Sequence, residues 1–373
     1  MNFHTPAPDA PSSRAFLVGM ILPGQPALQV EEHLDELAEL ARSAGAAVVG
    51  RAEQARRAPD VATFIGRGKA EAIGREAREL GADLVIFDDD LSPSQVKNLE
   101  ELLELAVIDR SALILEIFNQ RARSREARTQ VELAQLSYLL PRLTRRWRHL
   151  SRQVGGIGVR GGAGETQLET DRRMLRQRIA RLEKDLARIE RTRAVQRHGR
   201  RGVVQIALTG YTNAGKSTLF NRLTAAGTLA EDRLFATLDA KRRRASIGDG
   251  AVAVFSDTVG FIRKLPHDLV ASFRSTLEEV GQADLVIHVV DRSHPQWREQ
   301  MAVAEGVLHD LGVQEERLVR VYNKVDLLDG ARRPTDSGDG AWVSALTGQG
   351  IPELKQLLRR RLERAGRGLG GAA

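Results

Sequence analysis

The chain has 373 residues, too many for one small core, so two or three domains are expected. Hydrophobic content of 42% and charged content of 28% fit a folded globular protein, and no window approaches the roughly 20 apolar residues that span a bilayer. The absence of cysteine excludes disulfides and thiolate metal sites, while a net charge of +7 is compatible with a nucleic-acid partner.

Residues 1–14 are rich in Pro, Ser and Ala and lack a charged start followed by an apolar stretch. They read as a loose tail rather than a signal peptide, so the cytoplasm is the default location and a monomer the default state. From 15 to 120, strand-like runs at 15–22, 46–50, 83–89 and 105–110 alternate with helical patterns at 28–43, 69–80 and 92–103. Ser92 suits an N-cap, and Pro93 suits the first helical position. Such alternation implies a parallel α/β sheet.

Residues 111 to about 141 read as mainly helical, with Val131, Ala134 and Leu136 among the apolar positions. A Gly-rich stretch follows. Leu168, Leu175, Leu182 and Ile189 then recur seven apart, with Ile179 and Leu186 interleaved, which is coiled-coil spacing. The expectation is an antiparallel helical hairpin over 121–200 with its tip at 155–164. Residues 142–202 hold about twelve more basic than acidic residues, a concentration that attracts phosphate or simply solvates a helix face. No internal repeat is visible.

From 201 to 365 strands and helices alternate again. Strands are expected at 203–210, 251–258, 284–291, 317–324 and 341–345, and helices at 216–225, 267–282, 297–311 and 352–363. Residues 332–339 read as a loop and 366–373 as a Gly/Ala tail.

The first strand of this region runs into GYTNAGKST: Gly210, Tyr211, Thr212, Asn213, Ala214, Gly215, Lys216, Ser217 and Thr218. A strand, GxxxxGK[ST] and a helix form the context a P-loop requires. Its glycines let backbone N–H groups face phosphate oxygens, Lys216 reaches the outer phosphates, and Ser217 is a Mg2+ ligand. Asp257 and Gly260 in DTVG suit the magnesium carboxylate and the N–H that senses the third phosphate. Thr237, within FATLD, is the candidate switch hydroxyl completing the magnesium shell. Lys216, Thr237 and Gly260 are therefore the expected catalytic set. Asn323, Lys324 and Asp326 form NKVD. The carboxylate of Asp326 can accept two hydrogen bonds from the guanine ring, where adenine has no matching donors. Ser344, Ala345 and Leu346 offer backbone to the base carbonyl. This ordered series predicts GTP and GDP binding with hydrolysis.

Many small GTPases place a water-orienting Gln just after D-x-x-G; here Phe261 and Ile262 follow. Slow hydrolysis in the free protein is expected, completed by a partner or a second ion; Gln or Glu at 261 restoring fast partner-independent turnover would support this reading. Asn213 is a candidate ligand for K+ in place of an arginine finger, or a loop Asn capping its own backbone.

GGIGVRGGAGETQLETDRR at 155–173, FATLD at 235–239, DTVGFIRKLPHDLVASFRSTLEE at 257–279 and FIGRGKAEAI at 64–73 together resemble the HflX family of translation-associated GTPases, over about residues 15–364. The resemblance implies an α/β fold with three parts: an N-terminal parallel α/β subdomain, a long antiparallel helical hairpin and a C-terminal Ras-like P-loop GTPase domain. It also implies binding to the large ribosomal subunit and its rRNA, with ribosome splitting or rescue under stress. Arg152, Gly155, Gly156, Gly158, Arg160, Gly161 and Gly162 would then be the RNA-binding tip, since a cationic, Gly-rich loop can mould to RNA. No DNA partner and no membrane span are expected. The alternative readings are a nucleotide-gated RNA-binding and remodelling module and a protein-docking coiled coil. FIGRGK is not a P-loop and reads as a turn.

Overall fold

The computed structural model describes residues 13–143, 167–198, 203–225, 234–235, 237–238, 241–264, 279–328 and 340–366. The expected tip, including Arg152, Gly155, Gly156, Gly158, Arg160, Gly161 and Gly162, lies outside the described residues. So do the loop at 332–339 and all but the end of the helix expected at 267–282. The chain divides into two compact units.

The first unit opens with β1 (Arg14–Ile21), α1 (Ala27–Ser43), β2 (Ala47–Ala55), α2 (Arg67–Glu79), β3 (Leu84–Phe87), α3 (Pro93–Leu103) and β4 (Ala106–Asp109). Its four strands are all parallel, in the order β2-β1-β3-β4. The central strands β1 and β3 are buried on both faces, as helix-covered parallel strands require. Phe16, Val18, Val85 and Phe87 fill the core with Ile73 and Leu99, each worth about 1.5–3 kcal/mol on burial. Ser92 caps α3 as expected. Its Oγ accepts from Gln95 N at 3.2 Å, and its own N donates back to Gln95 Oε1 at 2.9 Å.

The helical stretch expected from 111 onward is two helices, α4 (Arg110–Arg121) and α5 (Arg125–Leu139). The break holds Ser124, whose Oγ accepts from Ala127 N at 3.0 Å. The long helix α6 (Gln167–His198) carries the heptad seam. Leu175 and Leu182 pack with Leu136 and Leu143, flanked by Leu133, Leu168 and Ile179. Glu132 takes Arg178 in a two-pronged pair at 2.7 and 3.0 Å, and Leu143 O accepts from Arg172 at 3.3 Å. Rising numbers on one side meet falling numbers on the other, so the two runs are antiparallel.

The second unit contains β5 (Val204–Gly210), α7 (Lys216–Thr224), β6 (Lys241–Gly248), β7 (Ala251–Asp257), β8 (Leu285–Asp291), α8 (Trp297–Asp310), β9 (Leu318–Asn323), β10 (Ala341–Trp342) and α9 (Ile351–Arg364). The strand order is β10-β9-β8-β5-β7-β6, parallel except for β6, which runs antiparallel to β7 at the edge. β6 is absent from the sequence expectation because its first half, Lys-Arg-Arg-Arg, has no apolar alternation. Phe220, Phe255, Ile206 and Ile287 centre the core. Among the described residues, no helix is long and apolar enough to cross a membrane.

Candidate functional site

The loops after β5, β7 and β9 meet at the C-terminal ends of the parallel strands, where α/β sheets present ligand sites. They enclose a cavity of about 320 Å³. Thr212, Asn213, Gly215, Lys216, Ser217 and Thr218 line one end, Thr237 and Gly260 the side, and Asn323, Lys324, Asp326, Ala345 and Leu346 the other end. Motifs scattered over more than a hundred residues are thus brought to one place. Gly210, Tyr211, Ala214, Asp257 and Ser344 lie behind this lining. Ala214 is part of the core, and the Tyr211 hydroxyl accepts from Arg263 N at 2.9 Å. Ser344 Oγ accepts from Thr347 N at 3.1 Å, shaping its loop.

Backbone conformation explains the glycines. At Gly210 an added Cβ would sit 2.2 Å from Val289 O, and at Gly215, with φ +88°, 2.2 Å from Asn323 Nδ2. Gly215 is also the N-cap of α7 and offers no side-chain acceptor. The first N–H groups of that helix are left for an anion. Lys216 is buried and donates to Tyr211 O at 2.7 Å. Burial pushes its ammonium down to about 8, with Asp257 pulling the other way.

Beside Lys216, three oxygens converge. Ser217 Oγ donates to Asp257 Oδ2 at 2.6 Å, Thr237 Oγ1 donates to the same oxygen at 3.0 Å, and the two hydroxyls are 2.8 Å apart. Asp257 is fully buried, and its other oxygen, Oδ1, has no hydrogen-bond partner. Burial raises its carboxyl above the usual range; the hydroxyls of Ser217 and Thr237, with the charges of Lys216 and Lys241, oppose the rise. An orphaned carboxylate oxygen beside two hydroxyls is a hard-oxygen donor set that fits Mg2+, which takes few protein ligands and completes its shell with phosphate and water. Among the described residues, no cluster of His, Cys, Asp and Glu could hold a metal without such help.

At the far end, Asn323 Nδ2 donates to Ala214 O at 2.9 Å and its Oδ1 accepts from Ala345 N at 2.9 Å. One side chain thereby joins the P-loop, the NKVD turn and the Ser344–Leu346 loop. Lys324, in the left-handed region at φ 62°, pairs with Asp291 at 2.7 Å.

Several contributors had no linear signature. Arg222 of α7 donates to Ala345 O at 3.1 Å and closely to Leu346 O, across more than 120 residues. Phe235 of FATLD and Thr258 of DTVG, within motifs but not themselves expected at the site, also line the cavity. Phe261 is placed otherwise than its position in the motif implies. Its side chain is 2% exposed and packs with Val286, Ala304 and Leu308. Its backbone N donates to Gly210 O at 3.0 Å, and its O accepts from Thr212 N at 2.7 Å. The residue latches the DTVG turn to the P-loop while its ring faces the core, away from the cavity. A Gln there would enter apolar surroundings, which argues against its restoring a water-orienting group.

This fold and site define a P-loop GTPase. Family models described as GTP-binding GTPase N-terminal, GTP-binding GTPase Middle Region and 50S ribosome-binding GTPase match residues 31–119, 121–200 and 205–324. The chain is 48% identical to GTPase HflX of Magnetococcus marinus over 364 residues, covering 96% of this chain and 83% of that protein. It is 48% identical to GTPase HflX of Escherichia coli K12 over 338 residues, covering 89% and 79%. The solved structure of SsGBP with GDP aligns over 95% of this chain and 99% of that one, at 24% identity and a TM-score of 0.50, a likeness of fold. The chain belongs to the HflX family of GTPases.

Proposed function

We propose that the chain is a GTP-hydrolysing switch whose working partner is the large ribosomal subunit and whose role is to split or rescue stalled ribosomes in the cytoplasm. The observation carrying the site assignment is the convergence of Ser217, Thr237 and the open oxygen of Asp257 on one flank of the cavity. The match of residues 205–324 to a model described as a 50S ribosome-binding GTPase supports the partner. The basic stretch of sequence that holds Arg152 and Arg160 and continues into Arg172, Arg173 and Arg176 of α6 offers cationic charge for rRNA.

In this reading the P-loop N–H groups and α7 hold the phosphates. Contact with phosphate restores the full charge of Lys216, which burial otherwise depresses. Ser217, Thr237 and Asp257 hold Mg2+, which supplies neutralisation of charge on the phosphate oxygens when bound. Gly260 has no room for a side chain, since a Cβ would lie 2.7 Å from Lys216 Nζ and 3.0 Å from Thr212 Cα. Its N–H can therefore approach the third phosphate, and loss of that phosphate releases the Thr237 and Gly260 loops. Asp326 reads the guanine edge. Asn213, exposed and at φ 60° beside the phosphate end, is the candidate K+ ligand. With the Phe261 ring in the core, no side chain directly after DTVG orients water. Intrinsic turnover is slow and an external contribution completes the site.

GTP hydrolysis is measured with the purified protein alone, with increasing large subunits, and in K+ against Na+. A rise of about tenfold or more on adding subunits, abolished in Lys216→Ala, supports the proposal. No rise with subunits removes the ribosome as activator, and equal turnover in the two salts removes the role of K+.

A further inference from the structure

The edge strand β6 begins with four consecutive cations, Lys241, Arg242, Arg243 and Arg244, all exposed. Edge strands commonly carry a charge that blocks pairing with another sheet, but one charge suffices for that, and a run of one sign repels itself. Among the described residues, the nearby acids leave most of this run unneutralised. Glu279 takes Arg242, Asp249 in the β6–β7 turn takes Arg359 of α9, and Asp257, which feels the charge of Lys241 without forming an ion pair with it, hydrogen-bonds Ser217 and Thr237. Among the described residues, Lys241, Arg243 and Arg244 have no ion-pair partner. None of the exposed large hydrophobic side chains lies on β6, whereas a stable protein interface is built around an apolar centre. Lys241 and Arg243 lie on one face of the strand and Arg242 and Arg244 on the other, the two members of each pair about 6.8 Å apart, close to the step between successive phosphates of a nucleic-acid strand.

The strand is also wired to the nucleotide site. Lys241 stands directly opposite Asp257 in the β6–β7 ladder, and it follows Thr237 by four positions in the chain. Anything that grips the start of β6 therefore holds the segment between the two candidate magnesium ligands.

We infer that the Lys241–Arg244 edge is a docking surface for an RNA phosphate backbone, through which bound RNA acts on Thr237 and Asp257. This deepens the ribosome reading and rests on it for the identity of the RNA.

The full-length chain is compared with Arg243→Gln/Arg244→Gln and with Arg243→Lys/Arg244→Lys. Two probes are used: protein-free large-subunit rRNA across a salt series, and purified large subunits in the hydrolysis assay. Thermal melts matched to wild type establish folding. The expected result with rRNA is a salt dependence of log K shallower by about two in the Gln variant, with the Lys variant near wild type. With subunits, half-maximal stimulation moves to about tenfold higher concentration. An unchanged salt slope together with unchanged stimulation overturns the inference while leaving the ribosome reading standing. A shallower slope on rRNA in a protein that subunits do not stimulate sustains the surface and removes the ribosome as activator. Weakened subunit binding with rRNA binding unaltered assigns the strand to an acidic protein and overturns the RNA assignment.

Discussion

Asp109 in the first unit and Asp257 in the second each end a strand, each is fully buried, and burial raises the carboxyl of each. Their surroundings differ in one respect. Asp109 Oδ1 accepts from the Tyr138 hydroxyl at 2.8 Å and Ala112 N at 2.9 Å, while Oδ2 accepts from Arg142 and Leu91 N, both at 3.2 Å. Arg142 also lies over the Tyr138 ring, 3.6 Å from its centroid. Every lone pair of that carboxylate is answered within the fold, and the result is a joint between β4 and the end of α5. Asp257 concentrates two hydroxyls on one oxygen and leaves the other without a partner. An unanswered buried oxygen costs stability, and in the function proposed above a cation and phosphate would offset that cost. A saturated buried acid is architecture; a half-saturated one beside a cavity is a site.

Exchanging the two acids separates these roles most sharply. Asp109→Ala should cost the first unit about 3–5 kcal/mol by stranding Arg142, read by urea unfolding, with hydrolysis per folded molecule unchanged. Asp257→Asn should do the reverse. Stability holds, because a poorly solvated charge is removed, and turnover falls by about a hundredfold or more. Equal damage to stability in both variants would break the distinction.

Phe261→Gln tests the ring's place in the core. It should cost about 3 kcal/mol from the lost packing and the stranded amide, and turnover should not rise. Faster hydrolysis in that variant would show that position 261 reaches the nucleotide.

The pH dependence of the nucleotide-free protein follows from Lys216. Burial lowers its value from 10.5 to about 8. Between those two values the unfolded chain keeps a proton that the folded chain has released. Stability therefore rises with pH across that window. The rise should vanish in Lys216→Met, and chemical unfolding at either end of the window measures it.

The smallest effect concerns the hairpin. Arg178 and Glu132 pair well but are each about 40% exposed, so Arg178→Ala should cost no more than about 1 kcal/mol after solvent screening. The buried Leu175 and Leu182 carry the seam.

How far these features could be read beforehand depended on how local their causes are. The parallel strands around Phe16 and Ile287 announce themselves as short apolar runs, and α3 by Ser92 and Pro93. The α6 seam shows in its seven-residue leucine spacing. The meeting of Lys216, Asp257, Asn323 and Asp326 around one cavity was legible because each belongs to a short motif at a set step from a strand. β6 was not, since an edge strand needs no buried alternation and its cations mask it. Nor was the break between α4 and α5, where no Pro or Gly interrupts the run. Arg222 on the Leu346 loop and the Phe261 latch on the P-loop arise only when distant segments meet. Periodicity cannot tell which way the Phe261 ring turns.

The most direct test is calorimetric titration of GTP into the wild-type chain and into Asp257→Asn, each with and without Mg2+. The expected result is that magnesium tightens binding by roughly tenfold or more, about 1.4 kcal/mol, in the wild type and changes little in the variant. Equal tightening in both proteins would mean that the open oxygen of Asp257 is not the metal's anchor, and it would contradict the distinction between the two buried acids.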